Sequence, residues 1–104
     1  MTKNNLTTFG EYIRKLRDEE GLPLRKVAAE LDIDPSQLAK IERNERLPTK
    51  ELIKQIAIFF KQDVHELKIH FLSDQIAFQI LDEEDGIKAL KVAEKKVEYL
   101  KKQK

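Results

Sequence analysis

Apolar residues recur at three- and four-residue intervals through most of this chain, the spacing of helices that each bury one face. Phe9, Ile13 and Leu16 mark a first helix. Thr8 is placed to cap it while Glu11 reaches back to complete a capping box, and Gly21 suits the left-handed stop at its end. Pro23 fixes the chain entering a second helix, roughly 24–31. Asp34 reads as the cap of a third, with Pro35 at its first position and Gln37 closing a second box, and this helix runs to about residue 43. Thr49 caps a fourth, in which Leu52, Ile53, Ile56, Ala57, Phe59 and Phe60 form a broad apolar face. Asp63 and Glu66 open a fifth, which continues without a breaker to about residue 81. The acidic run 82–85 suits the positive end of a last helix and the lysines near residue 101 its negative end, with Gly86 fitting either that helix or the turn before it. No segment holds the two-residue alternation of a strand better than it fits a helix. The chain reads as all-α.

Residues 24–43, LRKVAAELDIDPSQLAKIER, carry the most information. Val27, Leu31, Ile33, Leu38 and Ile41 turn two short helices toward one core, and Ala28 sits where those helices must cross closely. Two helices joined by so short a turn form a helix-turn-helix unit, whose second helix enters the DNA major groove. Leu38 and Ile41 take the buried side of that second helix, which leaves Ser36, Gln37 and Lys40 outward. Glutamine can pair with adenine, lysine with guanine and serine with several partners, so these three are the candidate base contacts. The competing reading confines Gln37 to capping and Lys40 to solvent. Arg25, Arg43, Asn44, Arg46, Thr49 and Lys50 bracket the helix as candidate phosphate contacts, which orient a protein without reading sequence.

With these residues in view, the chain resembles the Cro/repressor-type, or XRE-like, helix-turn-helix family over 7–67. The resemblance rests on FGEYIRKLRDEEGL, VAAELDI, IERNERLPT and LIKQIAIFF, in that order. It implies a five-helix globule that binds DNA as a dimer and regulates transcription. Asp32 and Asn44 stand where relatives often have glycine, and both residue types tolerate positive φ. Pro35 stands where relatives often place a base-reading side chain, so that contact is lost or reduced to touching a thymine methyl. The family commonly pairs an arginine of the first helix with a glutamate of the third; those positions match Arg17 and Glu42, in a structural role.

Composition sharpens this reading. The net charge of +1 gives no bulk attraction to nucleic acid, so placement must supply it. All arginines, Arg14, Arg17, Arg25, Arg43 and Arg46, lie in the first half, and arginine's planar fork suits phosphates and base edges. The chain has no cysteine, hence neither disulfides nor a Cys-ligated zinc site. The start MTKNNLTTF lacks the features of an export signal, and no apolar run reaches the ~20 residues of a membrane helix. A soluble, cytoplasmic protein is expected. His65 and His70 stand five apart and make a poor metal pair, and no nucleophile with a nearby base or phosphate loop is evident. Neither enzyme, metal nor cofactor is expected.

Residues 68–104 lie outside the resemblance and read as a helical extension. Ala89, Leu90, Ala93, Val97 and Leu100 crowd one side of the last helix, which therefore needs a partner surface. A dimerisation arm using Leu72, Ile76, Ile80, Leu90, Val97 and Leu100 is favoured over folding back on the globule. The expectation is a homodimeric repressor on a palindromic operator in double-stranded DNA, controlled by its own concentration or by a protein partner. The alternative is a protein-interaction module, an antitoxin or adaptor, on the same scaffold.

Overall fold

The computed structural model describes residues 7–103; the opening segment discussed above lies outside them through Leu6. Six helices follow in order: α1 Phe9–Glu19, α2 Leu24–Glu30, α3 Pro35–Glu42, α4 Lys50–Phe59, α5 Val64–Ile80 and α6 Gly86–Lys102. Among the described residues there is no strand. The chain divides into two compact units, residues 1–74 and 75–104.

The first unit is built around Ile13, Val27, Ala28, Leu38, Ile41, Ile53, Ile56 and Ala57, all sealed from solvent, with Phe9, Leu31, Phe60 and Leu67 closing the margins. Ala28 has no exposed surface and lies in this core, and α2 packs on α3. Thr8 and Glu11 make the reciprocal capping box at the start of α1. Thr49 accepts the Leu52 amide at 3.0 Å to start α4, and Asp63 accepts the Glu66 amide at 3.0 Å to start α5. The expected box at α3 is absent. Asp34 holds the extended cap backbone, but its side chain makes no cap hydrogen bond. Pro35 fills the first helical position with a fixed φ and no amide to satisfy, so α3 starts without that help.

One device ends each of the first four helices. The amide two residues past the cap returns to a carbonyl five residues earlier: Leu22 to Arg17 at 3.1 Å, Ile33 to Ala28 at 3.0 Å, Glu45 to Lys40 at 2.8 Å and Gln62 to Ala57 at 2.8 Å. The closure needs a left-handed residue at each bend, supplied by Gly21 (φ 64°), Asp32 (59°), Asn44 (63°) and Lys61 (57°). Lysine has no special tolerance for that conformation, so Lys61 is held there by its surroundings. The turn that follows is pinned by the Gln62 side chain, which accepts the Tyr12 hydroxyl at 2.6 Å and donates to the Phe60 carbonyl at 3.0 Å.

The first unit runs past Leu67 to Asp74 because α5 continues to pack on α1. Tyr12 stacks on His70 at 5.3 Å, Phe71 meets Phe9 edge-on at 5.5 Å, and the Asp74 carboxylate accepts the Phe9 amide at 2.7 Å. A carboxylate there also complements the positive end of α1. Burial nonetheless raises the Asp74 pKa above the ordinary carboxylate range, opposed by the Phe9 hydrogen bond.

The second unit pairs the last turns of α5 with α6. Gly86 is the first residue of α6, where a Cβ would lie 2.6 Å from the Ile80 carbonyl oxygen. Ile76, Ile80, Ala89, Leu90 and Ala93 line a shallow groove between the two helices. Beyond it α6 carries Val97, Tyr99 and Leu100, all more than half exposed.

Candidate nucleic-acid interface

The outer face of α3 is defined by what its inner face must bury. Leu38 and Ile41 enter the core and Glu42 turns inward, so Ser36, Lys40 and Arg43, at helical spacings of four and three, share an exposed stripe. Gln37 lies half-buried beside it. With the α3 capping box absent, Gln37 has no part in capping.

Three contacts hold this helix in place. Arg17 of α1 grips Glu42 through both arms of its guanidinium, Nε to Oε2 at 2.8 Å and Nη2 to Oε1 at 2.9 Å. Its remaining Nη1 donates to the Leu22 carbonyl at 3.0 Å, tying the α1–α2 turn to the end of α3. The hydrogen bond to Glu42 raises the Arg17 pKa against the opposing effect of burial. Second, Gly10 lets α1 approach the end of α3: a Cβ there would stand 2.5 Å from the carbonyl oxygens of both Ile41 and Glu42. Third, the Asn44 carboxamide bridges to α1, donating to the Thr8 hydroxyl at 3.0 Å and accepting the Gly10 amide at 3.3 Å.

That bridge gives Asn44 a structural task. Sequence reasoning placed its side chain against phosphate; in the fold its oxygen and one N–H are engaged with α1, and the second N–H of the exposed carboxamide is left over. The other bracketing residues remain outward. Arg25 on α2, Arg46 in the α3–α4 loop, and Thr49 and Lys50 at the start of α4 are all exposed. The Thr49 oxygen accepts the Leu52 amide, which leaves its O–H to donate to an anion.

Arg43 is exposed but engaged. Its Nε and Nη2 donate to the two Glu45 oxygens at 3.0 and 3.1 Å. This bond raises the Arg43 pKa and holds the Glu45 carboxyl below its ordinary range, with the charge of Lys40 adding to the effect on Glu45. Glu45 and Gly10 are the residues sequence reasoning passed over. Glu45 had a visible signal, an acid lodged between Arg43 and Arg46; Gly10 had none, since its neighbours come from another helix.

The residues assigned to dimerisation lie on α5 and α6. Ile76, Ile80 and Leu90 line the groove inside the second unit, Val97 and Leu100 lie further along α6, and Leu72 is an exposed residue of α5. His70 stacks on Tyr12 and Asp74 accepts the Phe9 amide. Among the described residues no group of three or more potential ligands could hold a metal, and no helix is long and apolar enough to cross a membrane.

Comparison with known proteins bears on this arrangement. The helix-turn-helix family model matches residues 13–67, more than half of the chain. An HTH-type transcriptional regulator of Deinococcus deserti, DdrOP3, is 33% identical over 69 residues, which cover 64% of this chain and 54% of that protein. The chain thus spans about half the length of this curated relative. The crystal structure of the clp gene regulator ClgR from Corynebacterium glutamicum shares the fold with a TM-score of 0.55 at 20% identity, over 88% of this chain and 84% of that one. The chain belongs to the XRE-like helix-turn-helix family, a family of DNA-binding transcription regulators.

Proposed function

We propose that this protein is a sequence-specific double-stranded DNA-binding regulator, a homodimeric repressor that reads a palindromic operator through the major groove. The observation that carries the reading is the outer face of α3. Ser36 and Lys40 are exposed and Gln37 half-exposed, on a helix whose opposite side is locked by Leu38, Ile41 and the Arg17–Glu42 fork. Polar side chains on a rigid helix can hold the geometry that discrimination between base edges requires. Arg25, Arg43, Arg46, Thr49 and Lys50 surround that helix with phosphate-binding groups, and the D. deserti relative bears the description of a transcriptional regulator.

A two-fold dimer places its recognition helices about 34–36 Å apart, on successive turns of one DNA face. The exposed Val97 and Leu100 on α6 supply apolar surface for that association, with no small-ligand sensor assigned. A second reading, a protein-interaction module on the same scaffold, draws support from Pro35, which occupies the first position of α3 and offers no base-reading group. Titration of the protein with a random-sequence duplex separates the two. Phosphate-driven binding should fall roughly a thousandfold or more between 50 and 200 mM salt if six to ten contacts form, and Arg46→Ala should flatten that slope. Absence of duplex binding at any salt would select the interaction module. Sedimentation of Val97→Asp and Leu100→Asp variants tests the arm: they should dissociate, whereas an unchanged dimer would place the interface elsewhere.

A further inference from the structure

Among the proposed phosphate-binding groups, Glu45 opposes the role of its neighbours. It is an exposed carboxylate within the cationic cluster, and both its oxygens are occupied by the Arg43 fork. A carboxylate held by two parallel N–H donors reproduces the way a guanidinium binds a phosphate. The contact is built into the backbone. Asn44, between the two residues, is fixed in the left-handed conformation and bridged to Thr8 and Gly10, while the Glu45 amide donates to the Lys40 carbonyl at 2.8 Å. These bonds hold the Glu45 backbone beside Arg43, so the carboxylate is displaced most readily by a turn of its own side chain.

We propose that Glu45 is an internal counter-ion that occupies the phosphate-binding fork of Arg43, so that DNA must displace it to gain that contact. The inference rests on the DNA-binding reading above and adds a residue that limits affinity. The guanidinium exchanges one bidentate anion for another, so the phosphate contact yields only the difference between two similar bonds. The released carboxylate then stands near the phosphate that replaced it. The charge of Lys40 also acts on the Glu45 carboxylate, as a smaller effect than the Arg43 fork.

Fluorescence anisotropy with a random-sequence duplex, at several salt concentrations, tests this on the full chain. Glu45→Gln keeps the side-chain size and removes the charge. It should tighten binding roughly two- to fivefold, the span of exposed ion-pair energies, and steepen the salt slope by up to about 0.9, one phosphate's share. In an Arg43→Ala background the same change should give a clearly smaller gain, since no fork remains to be released. Glu94→Gln on α6 controls for net charge and should leave affinity unchanged. If Glu45→Gln binds like the parent, or gains equally with and without Arg43, the counter-ion role is overturned. Failure of the parent to bind any duplex would instead overturn the DNA-binding reading.

Discussion

Replacing Arg17 with methionine should destabilise this protein more than replacing Glu42 with glutamine, and changing both together should restore most of the loss. The reasoning comes from exposure and valence. The Glu42 side chain is 5% exposed and that of Arg17 12%, and the carboxylate takes both of its strong bonds from the one guanidinium. Arg17→Met leaves a buried carboxylate without its cation, a fault that costs about 3–5 kcal/mol in proteins generally. Glu42→Gln keeps an acceptor for one arm of the fork, while Arg17 retains the Leu22 carbonyl and the Asp18 carboxylate at 3.7 Å. Its cost should be about 2–3 kcal/mol. Total stability in a domain of this size is only about 5–15 kcal/mol, and each kcal/mol moves Tm by about 4–8 °C, so both variants should show large shifts. The double variant Arg17→Met, Glu42→Leu leaves no buried charge and should recover to within about 1–2 kcal/mol of the parent. Urea unfolding followed by far-ultraviolet circular dichroism measures all three. Single variants within about 0.5 kcal/mol of the parent, or a double variant no more stable than Arg17→Met alone, would refute a buried, mutually dependent pair.

Gly10→Ala should cost about 1–3 kcal/mol in the same assay, because the new methyl group meets two backbone carbonyls 2.5 Å away and α1 must move off α3. Lys61→Gly should stabilise by about 0.5–1 kcal/mol, since glycine adopts its φ of 57° without strain; a loss would show that the Lys61 side chain contributes more than its backbone costs. The raised Asp74 pKa means that the folded state holds this proton to higher pH than the unfolded chain does. Stability should therefore fall as pH rises from the ordinary aspartate value through the raised one, a component that Asp74→Asn removes; identical pH profiles would contradict it.

The helix stops show what a sequence discloses about this fold. Gly21, Asp32 and Asn44 were legible as left-handed positions because their chemistry tolerates positive φ; Lys61 adopts the same conformation without any such preference, held by Gln62 and Tyr12. The capping box at Thr8 was legible for the same local reason, whereas Asp34 takes the cap backbone without the box that Gln37 was read to close. Of the residues around α3, exposure follows directly from apolar spacing: once Leu38 and Ile41 are inward, Ser36 and Lys40 must be outward. Long-range tasks were not legible. Asn44 was visible as a bend but not as a bridge to Thr8, Asp74 as part of α5 but not as a partner of the Phe9 amide, and Gly10 carried no sign that another helix ends against it. Glu45 was readable as an acid among arginines, yet only the fold shows its carboxylate filling the Arg43 fork.

The central claim is that Gln37 and Lys40 read bases from the outer face of α3, and selection from a randomised duplex library tests it most directly. The parent protein should enrich a two-fold symmetric sequence. Gln37→Ala and Lys40→Ala should each relax or change the preferred base at one position of every half-site, a loss of about 1–3 kcal/mol of discrimination there. If both variants enrich the same sequence as the parent, or the parent enriches none, α3 does not read DNA in the way its geometry suggests.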